Sequence, residues 1–324
     1  MFRKIVRFFM CLMLFGVSTV YAEQYPSKVI TIIVPYAAGG PTDTVARLLG
    51  KSMAPLLKAQ IIIENVVGAG GTIAAAKAAG SAPDGYTLFL HHIGLSTAPS
   101  LYRKLPFDPV RDLEPIGQVG DVAMTLVARK DFPAKDLKEL IAYVKANKDK
   151  VNLANAGLGA ASHLCGMLFM SAIQTEFTTI PYGGTGPAMN DLLGGQVDFM
   201  CDQTTNTTSH IKAGKIKVYA VTTKTRVASL PDVPTMQEGG LAGFEVAVWN
   251  GLYAPKGTPK PIIDTLSKAL QEALQDTSLR QRFAELGTEP ATREMATPES
   301  LRLKLKSEIE KWGPVIKKAG VYAD

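Results

Sequence analysis

The heptapeptide Pro-Tyr-Ala-Ala-Gly-Gly-Pro at residues 35–41 returns as Pro-Tyr-Gly-Gly-Thr-Gly-Pro at residues 181–187, so P-Y-x-x-x-G-P occurs twice. Each copy lies behind a strand-like run and ahead of a helix-like one. Glycines let the backbone turn sharply, and the closing proline suits a first helical position, where its missing N–H would be unpaired anyway. The next amides, of Thr42 and Asp43 or of Ala188 and Met189, then point out of a helix N-terminus, which attracts anions through free donors and partial positive charge. Neither loop contains Lys or Arg, so an anion held there rests on backbone N–H groups and hydroxyls. The alternative is a pair of ordinary strand-to-helix turns.

The rest of the chain repeats this strand, loop and helix alternation. Strand-like runs at 29–35 and 60–64 precede glycine loops and helical patterns at 42–57 and 72–79, and Asp84-Gly85 turns into a third strand at 86–91. A second unit follows: a strand at 124–129, a helix at 134–147 and a strand at 151–155. Ala156-Gly157-Leu158-Gly159 then leads into a helix containing 163–171. Beyond the Tyr182 loop come a short helix at 188–193, a strand at 197–201, a helix near 208–213, a strand at 217–222 and a strand-like crossing at 244–254. The final stretch is helical in pattern and adds no strand; Thr297-Pro298-Glu299 reads as cap, first position and acidic first turn. Such alternation predicts parallel sheets covered by helices. The expectation is an α/β fold of two domains, 23–124 plus 247–324 and 125–246, with a cleft between them. Ligand sites lie where strand C-termini face such a cleft, and both P-Y-x-x-x-G-P loops fall there.

Residues 1–22 read as a secretory signal, with Arg3, Lys4 and Arg7, an apolar stretch at 8–17 and cleavage after Ala22. Export to the periplasm is expected. Removing the signal leaves about 300 residues, and the formal charge falls from +6 by those three basic groups. No arginine-rich run or aromatic stripe remains to suggest a nucleic-acid partner. Cys165 and Cys201 survive processing; they could pair in an oxidising compartment, but they read better as two unbridged apolar fillers.

Candidate chemistry is sparse. The loop from Glu64 to Gly71 has the wrong glycine order for a dinucleotide site, and no cofactor is expected. His91 and His92 are strand neighbours with opposite facings, a poor arrangement for chelating one metal; one of them is expected to face the cleft. Ser162 beside His163 invites a secreted-hydrolase reading, but no G-x-S-x-G elbow is present. Ser162 as a helix cap or ligand hydroxyl fits better. Asp43 either holds its loop through local backbone donors or meets a ligand ammonium, the first being favoured because a carboxylate would repel an anion. Asp202 keeps the ammonium-partner possibility open, with a purely structural role as the alternative.

The ordered motifs carry a resemblance. They include Pro35 to Gly40 followed by Asp43, Glu64-Asn65 with Gly68-Ala69-Gly70-Gly71, and Pro83-Asp84-Gly85-Tyr86-Thr87. Leu101-Tyr102, Tyr182 to Pro187, Asp191 to Asp198, Pro231 to Thr235 and Trp249 to Pro255 complete the set. Over nearly the whole mature chain the sequence resembles the periplasmic solute-binding receptors of tripartite tricarboxylate transporters, the Bug proteins. The resemblance implies a two-domain Venus flytrap of the type II-like periplasmic-binding-protein fold, with two crossover hinge strands and no catalysis. It also implies a ligand carboxylate gripped between the two loops, often with ordered water. Tyr36, Ala38, Gly40, Thr42 and Asp43 are carried over from the first loop. Gly157 and Ser162 come from the loop before the Ser162 helix, and Tyr182, Gly184 and Thr185 from the second. His92 stands where many relatives have a small hydroxyl residue, and Gly183 where a basic residue is common. The carried-over residues together with His92 and Asp202 form the expected ligand-binding set, with no metal and no catalytic residue. The implied partners are a small organic acid and the membrane permease subunits, the receptor being a monomer. Ligands across the family include dicarboxylates, tricarboxylates, acidic amino acids and aromatic acids. A signalling partner in place of a permease is the other alternative.

Overall fold

The structure is a computed structural model that describes residues 25–320, 322 and 323. The signal segment and its cleavage site lie outside the described residues.

The first elements are β1 (Ile30–Val34), α1 (Pro41–Leu57), β2 (Ile61–Asn65), α2 (Thr72–Ala79), β3 (Thr87–His92) and α3 (Gly94–Leu101). The long β4 (Leu113–Arg129) leads to α4 (Leu137–Ala146), β5 (Asn152–Asn155), α5 (Ala161–Ile173), β6 (Thr178–Pro181), α6 (Thr185–Leu193), β7 (Phe199–Gln203), α7 (Thr204–Lys212) and β8 (Ile216–Val221). The chain closes with β9 (Ala247–Pro255), α8 (Lys260–Ala273), α9 (Thr277–Glu285), β10 (Thr288–Pro290) and α10 (Pro298–Ala319).

The strands form one curled sheet in the order β2-β1-β3-β9-β4-β7-β5-β6, with β8 and β10 also paired to β4. Pairing is parallel among β2, β1 and β3 and among β6, β5 and β7, and antiparallel around β9 and β4. β4 crosses the molecule. Its residues up to Ala123 pair β9 and β10, and those from Met124 pair β7 and β8. Two α/β lobes result, as in a Venus flytrap.

Strand periodicity sorts the first lobe's core. Ile30, Ile32 and Val34 point to one face of β1, against Val45, Leu49 and Met53 of α1 and Leu266 and Leu270 of α8. Ile33 points to the other face, with Ala74, Ala75 and Ala78 of α2 and Phe89 of β3. In α1 the buried positions Val45, Leu49, Met53 and Leu57 recur every four residues, the stripe a helix needs to lie on a sheet. Truncating a fully buried leucine such as Leu49 to alanine costs about 2–5 kcal/mol.

Four features differ from the sequence reading. β4 begins at Leu113, not 124, because Pro115, Gly117 and Gly120 break the apolar alternation. Register shifts fall at these positions, and a Cβ on Gly117 or Gly120 would meet the Ala296 or Glu289 backbone at 2.8 or 2.5 Å. The tail does add a strand, β10, too short at three residues to show a period. α6 begins at Thr185, so Pro187 is its third residue and the outward amides are those of Thr185 and Gly186, not Ala188 and Met189. Finally, Cys165 and Cys201 are joined in a disulfide, with Cα atoms 6.1 Å apart. The helix face and the strand end were legible; that α5 packs directly on β7 is a tertiary fact. Closing a loop of this separation stabilises a fold by about 2–4 kcal/mol.

Candidate functional site

Four helices begin at the seam between the lobes. The N-caps of α1, α5, α6 and α7 are Gly40, Ala160, Gly184 and Gln203, and no side chain caps any of the four. By contrast, Asp136, Asp276 and Thr297 cap α4, α9 and α10. Missing caps are not confined to the seam, since α2, α3 and α8 lack them too; what is particular is the convergence. Pro41 and Thr42, Ala161 and Ser162, Thr185, and Gln203 all line one small cavity. No Lys or Arg lines it. Positive potential therefore comes from helix ends.

The lobes touch through the two heptapeptide loops. Ala37 N donates to Gly183 O at 2.9 Å. A Cβ on Gly184 would lie 2.8 Å from Ala37 N, and one on Gly186 would lie 2.9 Å from Ala38 O. These glycines are needed for close approach, whereas a Cβ on Gly40 would find its nearest neighbours at 3.5 Å. Thr97 Oγ1 reaches Gly159 O at 3.2 Å, and Tyr102 OH donates to Ala69 O at 2.7 Å with Leu158 O at 3.4 Å. This is a closed arrangement.

Of the twelve expected ligand residues, Tyr36, Thr42, His92, Ser162, Thr185 and Asp202 line the cavity. Ser162 Oγ accepts from Ala156 N at 2.8 Å, which leaves its O–H free to donate. It is the second residue of α5, not its cap. His92 Nδ1 accepts from Gly94 N at 3.0 Å, and burial pushes its pKa down to about 3, so the ring is neutral with its proton on Nε2. It stacks on Tyr36 with ring centroids 4.9 Å apart. His92, rather than His91, is the histidine that faces the cleft.

The other six do not reach this cavity. Asp43 Oδ2 accepts from Gly39 N and Arg47 Nε, both at 2.9 Å, and Oδ1 accepts from Asn65 Nδ2 at 3.0 Å. Burial alone would raise its pKa, but the Arg47, Gly39 and Asn65 hydrogen bonds hold it below the usual value. Asn65 Nδ2 also bonds Tyr36 O at 2.9 Å, so Asp43 is a brace for the first loop. Ala38, Gly40 and Gly184 belong to the interlock. Gly157 and Tyr182 line an outer pocket, where Tyr182 OH donates to Asp191 Oδ2 at 2.7 Å. Sequence reasoning missed Gln203, whose only signal was its place after Asp202 at a strand-to-helix junction.

Asp202 is the one carboxylate on the cavity wall. Its Oδ2 accepts from Asn206 Nδ2 at 2.6 Å, while Oδ1 is buried without a hydrogen-bond partner among the described residues. Burial pushes its pKa up to about 6, against the pull of the Asn206 hydrogen bond. His163 is not poised to serve Ser162: its Nδ1 accepts from Gly159 N at 3.3 Å, and burial lowers it to about 4. No group of three or more His, Cys, Asp or Glu among the described residues could hold a metal ion.

Two lobes closed over a cavity walled by helix N-termini define a solute-binding receptor. Residues 45–321 match the tripartite tricarboxylate transporter family receptor, and the chain belongs to that family. The structure of the periplasmic binding protein BugD is 54% identical, with a TM-score of 0.90, over 92% of this chain and 99% of that one. MatC from Rhodopseudomonas palustris with bound malate is 42% identical, with a TM-score of 0.87, over 90% and 100%. A protein of Agrobacterium vitis from the TAR-I ttuE-ttuC' intergenic region is 51% identical over 92% of this chain and 86% of its own length.

Proposed function

We propose that this receptor captures a small carboxylate between its lobes and hands it to the membrane subunits of its transporter. The observation that carries this reading is the convergence of four uncapped helix N-termini on one cavity without Lys or Arg. Backbone amides and hydroxyls bind a carboxylate strongly when water is excluded. The malate bound by MatC supports the ligand class. Lobes of 23–124 plus 247–324 and of 125–246 close about two crossings, supported by the change of β4 partners between Ala123 and Met124. The receptor acts as a monomer; that it catalyses nothing is supported by the separate engagements of Ser162 and His163.

Thermal-shift screening of a carboxylate library tests the reading, because a ligand at 100 times its Kd adds about 2.7 kcal/mol. Thr42→Val and Ser162→Ala should each weaken the best ligand roughly tenfold to a hundredfold in calorimetry, the cost of one hydrogen bond to a charged group. Unchanged affinity in both variants would remove the cavity from consideration.

Export with removal of residues 1–22 completes the proposal, supported by the periplasmic binding protein BugD being so similar. N-terminal sequencing of exported protein should begin at Glu23; a start at Met1 would refute cleavage.

A further inference from the structure

Besides the two crossings and the closed seam, the lobes meet at a third place. The corner at 286–288, between α9 and β10, belongs to the first lobe: Leu279 and Phe283 of α9 sit in its core, and Thr288 pairs Val122 of β4. Yet the corner is seated on the first turns of α7, in the second lobe. Thr204 Oγ1 donates between Gly287 O at 2.9 Å and Ala123 O at 3.2 Å, the Thr205 and Thr288 hydroxyls share a hydrogen bond at 3.0 Å, and Thr208 Oγ1 reaches Leu286 O at 3.5 Å. Positions 204, 205 and 208 share one helix face, and all three threonines are buried. Gly287 enters a slot in the second lobe, where a Cβ would lie 2.7 Å from Ser229 Oγ and 2.9 Å from Thr204 Cβ.

These contacts stand beside the crossings. Thr288 pairs Val122, one residue before Ala123, where β4 changes partners, and Ala123 pairs Ala247 at the start of β9, the second crossing. Rotation about such a line carries the heptapeptide loops apart but barely moves groups that lie on it. Parting the corner from α7 would leave buried hydroxyls and carbonyls without partners, which is costly. The β-branched threonines that disfavour a helix are thus placed where contact between the lobes has to persist. We propose that the corner at 286–288 and the first turns of α7 form a fixed pivot, a non-covalent third link that stays made when the receptor opens. Gln203, the N-cap of α7 and part of the cavity wall, is thereby held to the first lobe in both states.

This inference rests on the reading that the two lobes close on a solute, and its test needs no bound solute. In the full mature protein, Thr205→Cys with Thr288→Cys is made in two backgrounds, native and Gly70→Ala. The second is expected to stay open, because a Cβ on Gly70 would lie 1.8 Å from Leu158 O across the seam. Small-angle scattering should give Gly70→Ala a larger radius of gyration than the closed structure has, both before and after oxidation. The ratio of cross-linked to reduced pair in a fixed glutathione buffer should agree between the backgrounds within about threefold, since an intact pivot leaves the effective concentration of one thiol at the other unchanged. A ratio roughly tenfold or more lower in the opened Gly70→Ala protein overturns the pivot, as does a cross-link that returns that protein to the closed radius. If the pair bonds in neither background, hydrogen exchange decides: protection at 286–288 that survives in Gly70→Ala while that of the Ala37 amide is lost supports the pivot, and joint loss overturns it. A Gly70→Ala protein no larger than the closed structure in either redox state overturns the closure reading and the pivot with it.

Discussion

Gly70→Ala should leave both lobes folded and prevent them from closing. Gly70 has φ +60°, and a Cβ there would lie 1.8 Å from Leu158 O, a backbone atom on the far side of the seam. No rotamer change relieves a clash with backbone. Alanine in the left-handed region costs only about 1–2 kcal/mol, so the unliganded melting temperature should fall by a few degrees at most. Gly195→Ala is the control: it carries the same kind of strain at φ +71° with nothing within 4 Å. Because Thr42 and Ser162 reach one ligand only across a closed seam, Gly70→Ala should lose roughly a hundredfold or more in affinity, about 2.7 kcal/mol. Small-angle scattering should show ligand-induced contraction in wild type and in Gly195→Ala but not in Gly70→Ala. Normal contraction and normal affinity in Gly70→Ala would show that the seam does not close this way.

The second large effect is on stability. The Asp202 pKa is raised in the folded protein to about 6, against about 3.9 unfolded. A raised folded pKa contributes stability that is fully present below the unfolded value and lost as pH climbs through the folded one. Between pH 4 and pH 7 the ionising carboxylate therefore costs the unliganded protein about 3 kcal/mol. Asp202→Asn removes this penalty: the variant should be more stable than wild type at pH 8, by an amount that vanishes near pH 4. The buried His92 and His163, with pKa values lowered to about 3 and 4, add acid destabilisation below about pH 6.5. That effect is common to both proteins and drops out of the difference. Denaturant titrations at pH 4 and pH 8 measure it, and a pH-independent difference would mean that Asp202 is not strained when charged.

What the sequence made legible was local. The strand-like run at 29–35 placed β1, and the proline and glycine pattern placed α1 at Pro41. Thr42, Ser162 and Thr185 could be named through the family resemblance, and each sits at a strand-to-helix junction on the cavity wall. What stayed hidden depended on packing between distant segments. The Cys165–Cys201 bridge needs α5 laid on β7. The start of α7 at Thr204 was obscured by Thr204, Thr205, Thr207 and Thr208, β-branched residues that disfavour helix. Asp43 was favoured as a loop brace yet kept in the ligand set, because its partner Asn65 comes from β2, a distant segment.

The position of β9 between β3 and β4 governs the order in which the molecule can assemble. The strands of the second lobe, β5 to β8, pair among themselves and with β4, so that lobe has all its partners before β9 is reached. The first lobe does not. Its early strands and β4 share no edge until residues 247–255 slide between them, and α8 to α10 must then cover the faces left open. An emerging chain thus carries two unjoined strand edges from the making of β4 until β9 arrives, the situation in which pairing with another chain competes with folding. Lobe one is begun first and finished last.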